Sequence, residues 1–163
     1  MTTPEPELTH LNEAGEVHMV DVGEKEVTRR EAVAEGVVRM ASELVERFFA
    51  GDLPKGDAAA VARVAGIAGA KKTSDLIPLC HPLPLTGVEV SLEAVGHGIR
   101  ITATVSTTGR TGVEMEAMTA VAVAALAVYD MVKGVERGVT IESIRLLRKA
   151  GGRSGTWEAP VVD

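Results

Sequence analysis

Residues Val88-Glu89-Val90-Ser91-Leu92-Glu93-Ala94-Val95-Gly96-His97-Gly98-Ile99-Arg100-Ile101-Thr102-Ala103-Thr104-Val105 decide the fold. Val88, Val90 and Leu92 alternate with Glu89, Ser91 and Glu93, and Ile99, Ile101, Ala103 and Val105 resume the beat after Gly96-His97-Gly98. Period-two alternation gives each segment one buried and one wet face, and a short glycine turn joins them antiparallel, so the stretch reads as a β-hairpin. Upstream, Asp57 caps a small-residue helix over 58–72, in which Gly66 and Gly69 imply that another backbone packs closely. Downstream, the polar loop Thr107-Thr108-Gly109-Arg110-Thr111-Gly112 leads into a long apolar helix over 113–135.

Two more strands enclose these pieces. Ala32, Ala34, Gly36, Val38 and Met40 share one face opposite Glu31, Glu35 and Arg39, and a last strand covers 139–147. The order strand, helix, strand, strand, helix, strand is the split β-α-β arrangement. The expected class is therefore α+β and ferredoxin-like, an antiparallel sheet with helices packed on one face. Smaller features complete the outline. Val17, Met19, Val20 and Val22 suggest a short leading strand ending at Gly23, and Ser42 is placed to cap a short helix through Ala50. The expected organisation is a flexible arm over 1–15, one catalytic domain over 16–155 and a tail over 156–163.

Composition narrows the function classes. The chain has 163 residues, 45% hydrophobic but only 2% aromatic, so its core must be built from Ala, Val, Ile and Leu. Small side chains bury little area each, which favours association of subunits. A net charge of −6 argues against a nucleic-acid or membrane-surface binder. A single cysteine allows no internal disulfide and fits a reducing compartment. The start Met1-Thr2-Thr3-Pro4-Glu5-Pro6-Glu7 lacks the pattern of a signal peptide, and the apolar run 120–129 is too short to span a bilayer. A soluble cytoplasmic protein is expected.

Chemistry-bearing residues concentrate in a few places. The stretch 71–85, Lys71 through Leu85, holds three of the seven prolines, the only cysteine and one of four histidines. Prolines stiffen it into an extended loop rather than a helix, presenting Cys80 and His81 on a rigid support. An apolar packing loop with a core cysteine accounts for the same residues. In the long helix, Glu114 falls in the first turn, where the dipole favours carboxylates, while Glu116 interrupts apolar sequence. Asp130 follows nine Ala, Val or Leu residues and Tyr129, with Lys133 three residues on. A buried carboxylate–ammonium pair suits proton exchange with a substrate, although an ordinary i,i+3 ion pair has the same spacing.

Lys55, Lys71, Lys72, Arg110, Lys149 and Arg153 all sit in loops or at element ends, and Gly151-Gly152-Arg153-Ser154-Gly155 has the makings of an anion-binding nest. A phosphorylated small molecule is the ligand class these imply. No histidine or cysteine pair has zinc-motif spacing, so neither metal nor cofactor is expected. A Cys80 nucleophile activated by a distant histidine is formally open, although nothing nearby in the sequence lowers its thiol pKa.

The chain resembles the MoaC-type cyclic pyranopterin monophosphate synthase family of molybdenum cofactor (molybdopterin) biosynthesis. The resemblance rests on Leu8-Thr9-His10, Met19-Val20-Asp21-Val22, Arg30-Glu31-Ala32, Lys55-Gly56-Asp57 and Ala65-Gly66-Ile67. It continues through Ser74-Asp75-Leu76-Ile77-Pro78-Leu79-Cys80-His81-Pro82-Leu83 and Thr111-Gly112-Val113-Glu114-Met115-Glu116-Ala117, then Tyr129-Asp130-Met131 with Lys133, and Gly151-Gly152 with Ser154-Gly155. What it implies is a ferredoxin-like lyase working as a homohexamer, a trimer of dimers, with its site at a subunit interface. The implied substrate is 3′,8-cyclo-7,8-dihydro-GTP supplied by a radical enzyme. Its ring is opened and rebuilt, a cyclic phosphate closes and pyrophosphate leaves. By position, Asp130 matches the family's catalytic aspartate and Lys133 the lysine beside it, with Lys55 and His81 as further catalytic candidates. Leu79, Cys80, His81, Met115 and Glu116 match substrate contacts, and Glu114 belongs to the same segment. Arg30, Lys71 and Lys149 match basic pocket positions. Lys72 stands where arginine is expected, Gly134 where alanine is usual and Arg153 where lysine is usual. The last of these places Arg153's role in question, because the two cations differ in hydrogen-bond geometry. Rival readings are a non-catalytic ligand-binding regulator and a metal-dependent phosphohydrolase, since one fold hosts many functions.

Overall fold

Alternation along β1 (Thr28–Arg39) sets the core: Ala32, Ala34, Gly36 and Val38 are buried, and the residues between them turn outward. The computed structural model describes residues 10–160, in which β1 is followed by α1 (Ser42–Ala50), α2 (Ala58–Lys71), a single turn α3 (Thr73–Leu76), β2 (Leu85–Val95), β3 (Gly98–Gly109), α4 (Glu114–Val132), β4 (Thr140–Ala150) and β5 (Trp157–Glu158). The sheet order is β2-β3-β1-β4-β5, with every pairing antiparallel. Its first four strands have the order of a split β-α-β domain, as the hairpin between two helices predicts. β2 and β3 meet at the two-residue turn Gly96-His97, where Val95 pairs with Gly98.

α2 and α4 lie together over one face, and their contact uses the two glycines. A Cβ at Gly66 would lie 3.0 Å from the Ala120 carbonyl oxygen, and one at Gly69 would lie 2.8 Å from the Val123 side chain. Glycine there trades helix propensity for close approach of the helices. α4 is long and apolar enough to cross a membrane by length and composition. It packs instead as the central core helix, with Ala117, Ala120, Val121, Ala124 and Val128 fully buried against the sheet and α2.

The open sheet face is polar and held by ion pairs across strands. Arg145 on β4 reaches Glu35 on β1 at 2.8 Å, Arg100 on β3 reaches Glu93 on β2 at 3.1 Å, and Arg148 reaches Glu31 at 2.7 Å.

Three local expectations are corrected. Residues 17–22 form no strand; a lone bridge joins Leu11 to Val17, the Asn12 side chain accepts from the Ala14 and Glu16 amides, and Val17 stays 69% exposed. Val20 and Val22 line a cavity instead, so their apolar character serves the site rather than the sheet. The stretch 71–85 is not loop throughout, because Thr73–Leu76 makes a helical turn in which the buried Thr73 hydroxyl donates to the Ala70 carbonyl at 3.0 Å. Ser42 is the first residue of α1 and gives no side-chain cap; the helix is preceded by Ala41, whose amide donates to Glu136 at 3.1 Å. Asp57 caps α2 as expected, accepting from the Ala60 amide at 2.9 Å. The strand β5, outside all the sequence expectations, adds Glu158 and Trp157 opposite Arg148 and Lys149.

Candidate active site

Candidate residues gather at the two ends of α4. At its start, the loop after α3 is fixed by two hydrogen bonds. The Cys80 amide donates to the Ile77 carbonyl at 3.1 Å, and the fully buried Thr107 hydroxyl donates to the Pro84 carbonyl at 2.7 Å. This brings Leu79, Cys80 and His81 to a cavity of about 510 Å³ shared with Met115 and Glu116 of α4, and with His10, Val20 and Val22. Glu116 is 4% exposed, and burial first, then repulsion from Glu114, pushes its carboxyl pKa up from 4.5. Burial and the neighbouring Glu116 likewise raise the Cys80 thiol, which therefore stays protonated.

A second cavity of about 490 Å³ adjoins the first, sharing Lys25, Thr111, Gly112 and Glu114 as a common wall. It collects Lys25, Arg30, Arg110, Lys149 and Arg153 against Glu26, Glu31 and Glu114, so cations prevail. The tail supplies its floor: Gly151 and Gly152 sit at φ of +102° and +74°, and a Cβ at Gly152 would collide with the Arg30 guanidinium. Positive φ at both, and at Gly151 the Arg29 carbonyl as well, favours glycine there. Arg30 donates to the Arg110 carbonyl at 3.4 Å, and its buried Nε has no hydrogen-bond partner among the described residues. Lys149 donates to Glu114 at 2.9 Å.

At the other end of α4, Asp130 accepts from Lys133 Nζ at 2.7 Å and from Lys55 Nζ at 2.9 Å, and Lys55 also donates to the Asp130 backbone carbonyl at 2.7 Å. The i,i+3 pairing of Asp130 with Lys133 is as expected. The burial is not: the Asp130 side chain is 55% exposed. The apolar sequence before it is buried on one side only, and Met115, Ala122, Leu126, Asp130 and Lys133 fall on an outward stripe where Leu126 is 59% exposed. Hydrogen bonds from Lys133 and then Lys55 hold the Asp130 carboxyl down at about 2, and the same contact raises Lys133 above 10.5.

Of the candidate residues, all but four therefore line the adjoining cavities. Asp130, Lys133 and Lys55 make the distant cluster, and Lys71 is exposed in the last turn of α2, lining neither cavity. Sixteen residues of helix separate Glu114 from Asp130, about 24 Å along the axis at 1.5 Å per residue. One subunit does not bring the two clusters together. Lys25 is a cavity residue that sequence reasoning missed. It sits in the run Glu24-Lys25-Glu26, which looks like ordinary solvated surface; its amide donates to the Val22 carbonyl at 3.1 Å, and the Arg110 side chain donates to its own carbonyl at 3.2 Å. Among the described residues, no three His, Cys, Asp or Glu side chains come together in a metal-binding arrangement.

Residues 19–152 match the profile of the MoaC family. The cyclic pyranopterin monophosphate synthase of Corynebacterium efficiens is 58% identical over 151 residues, which span 93% of this chain and 97% of that protein. The protein named cyclic pyranopterin monophosphate synthase 2 in Mycobacterium tuberculosis is 59% identical over 151 residues, spanning 93% of this chain and 90% of its own length. That of Roseiflexus castenholzii reaches 60% over 151 residues, 91% of this chain and 96% of its own.

Proposed function

The chain belongs to the MoaC family, and from that premise we propose how its residues carry out the work of a cyclic pyranopterin monophosphate synthase in molybdenum cofactor biosynthesis. The substrate is 3′,8-cyclo-7,8-dihydro-GTP, a rigid ring system bearing a triphosphate. The half-apolar cavity of Leu79, Cys80, His81, Met115 and Glu116 takes the ring, and the basic cavity of Arg30, Lys149 and Arg153 takes the phosphates. The Lys55–Asp130–Lys133 cluster of a neighbouring protomer supplies the proton transfers for ring opening, ring closure and departure of pyrophosphate. His81, facing the ring cavity, is a further donor or acceptor within it.

The observation that carries this reading is the separation along α4. Each end holds half of what the reaction needs, and the outward stripe between them, with Met115 38% and Leu126 59% exposed, is apolar enough to be covered by another copy. We take the assembly to be a hexamer of three dimers with such composite sites, the substrate coming from a radical enzyme. The lone unpaired Cys80 fits a reducing, cytoplasmic setting.

The decisive experiment mixes the pure protein with the cyclised dihydro-GTP and follows pyrophosphate. Stoichiometric pyrophosphate with formation of the cyclic phosphate is the expected result. Binding without turnover would make the chain a ligand-binding regulator, and turnover abolished by a chelator would make it a metal-dependent hydrolase.

A further inference from the structure

Among the described residues, Glu114 is the only carboxylate in the wall common to both cavities. Its side chain folds back over the first turn of α4, and its carboxylate occupies the space beside Gly112. From there its Oε1 accepts from Lys149 Nζ at 2.9 Å, with 34% of the Lys149 and 29% of the Glu114 side chain exposed. Arg30, in the same cavity, keeps a buried Nε without a partner among the described residues. The two cations thus differ in kind: Arg30 has no anionic partner among the described residues, whereas Lys149 is already engaged by an anion of its own chain.

We propose that Glu114 is an internal competitor, its carboxylate holding the place on Lys149 that a phosphate group of substrate or product takes. The inference rests on the phosphate-binding reading of this cavity and adds to it. Arrival of a phosphate exchanges one anion for another at Lys149, so the net gain is smaller than for a bare ammonium. When the rebuilt ring no longer carries pyrophosphate, return of the carboxylate restores the pair and helps the product leave, a step that limits many enzymes. The charge of Glu114 facing the cavity is also felt by Glu116, whose proton it helps to retain.

Calorimetric titration of the assembled protein with inorganic pyrophosphate tests this. Glu114→Gln keeps the shape and removes the charge, so pyrophosphate should bind on the order of two- to fivefold more tightly, the scale of a partly exposed ion pair. Glu114→Asp keeps the charge at the helix start but falls one methylene short of Lys149, and should also bind more tightly. Both gains should vanish in a Lys149→Ala background. Unchanged or weaker binding in both Glu114 variants, with binding still lost in Lys149→Ala, overturns the competitor role and leaves the phosphate site standing. A gain that persists without Lys149 also overturns it. Pyrophosphate binding indifferent to Lys149→Ala overturns the site reading as well.

Discussion

At Asp130 one carboxylate serves two ammonium groups, whose hydrogen bonds, Lys133 first and then Lys55, hold it down at about 2. At neutral pH the aspartate is an anion, and the neighbouring lysine holds its proton more tightly than a free lysine does. In the proposed reaction Asp130 acts as an anion that raises the basicity of Lys133. Asp130→Asn should lower turnover by roughly 10²-fold or more, the scale of general acid-base catalysis, with substrate affinity nearly intact. It should also lower the Lys133 pKa, because the hydrogen bond that raises it is gone; NMR titration of labelled lysines reads this directly. Near-normal turnover would return the cluster to a surface ion pair. Glu116 gives a pH effect of defined sign. Its folded-state pKa lies above the 4.5 of the unfolded chain, so the folded protein holds the extra proton and loses stability as pH rises from 4.5 through the raised value. Glu116→Gln removes that loss. Thermal melts across this range should show the variant gaining on the wild type as pH rises, and parallel pH profiles would refute it.

Among the elements, the α2–α4 contact is the most exacting. Gly69→Val places carbon where Val123 already stands, and such overpacking costs about 1–3 kcal/mol; the shift in the urea midpoint measures it. An unchanged midpoint would mean that the helices part without cost. Gly66 and Gly69 were legible in the sequence as sites of close approach because glycine inside a helix needs a compensating reason. The hairpin and β1 were legible because each has one dry and one wet face. Val17–Val22 misled because apolar residues need not belong to a sheet: Val20 and Val22 line a cavity, while Val17 and Met19 stay exposed. Asp130 misled differently. The run of Ala, Val and Leu before it looks buried all round, but Ala122 and Leu126 face outward, and a sequence does not distinguish an apolar face awaiting a partner from one in the core. The ion pair was legible from spacing alone, whereas Lys55, seventy-five positions from Asp130, was legible only as a loop cation, and its catalytic role came through the family resemblance.

At the scale of the whole molecule, the proposed composite site would make activity a property of neighbours, because one subunit keeps the two ends of α4 apart. Co-expressed Asp130→Asn and Lys149→Ala chains, each inactive alone, should assemble mixed dimers in which one of two sites carries neither substitution. Random pairing then restores about a quarter of wild-type turnover, since half of the dimers are mixed and half of their sites are intact. No recovery from verified mixed assemblies would place the whole site within one subunit. The short strand β5 has a practical consequence of its own. It carries the chain's single tryptophan, Trp157, 43% exposed and paired across the ladder with Lys149 at the edge of the basic cavity. The protein thus contains a built-in optical reporter: indole emission should respond when an anion settles on Lys149, so occupancy of that cavity can be followed in the unlabelled enzyme.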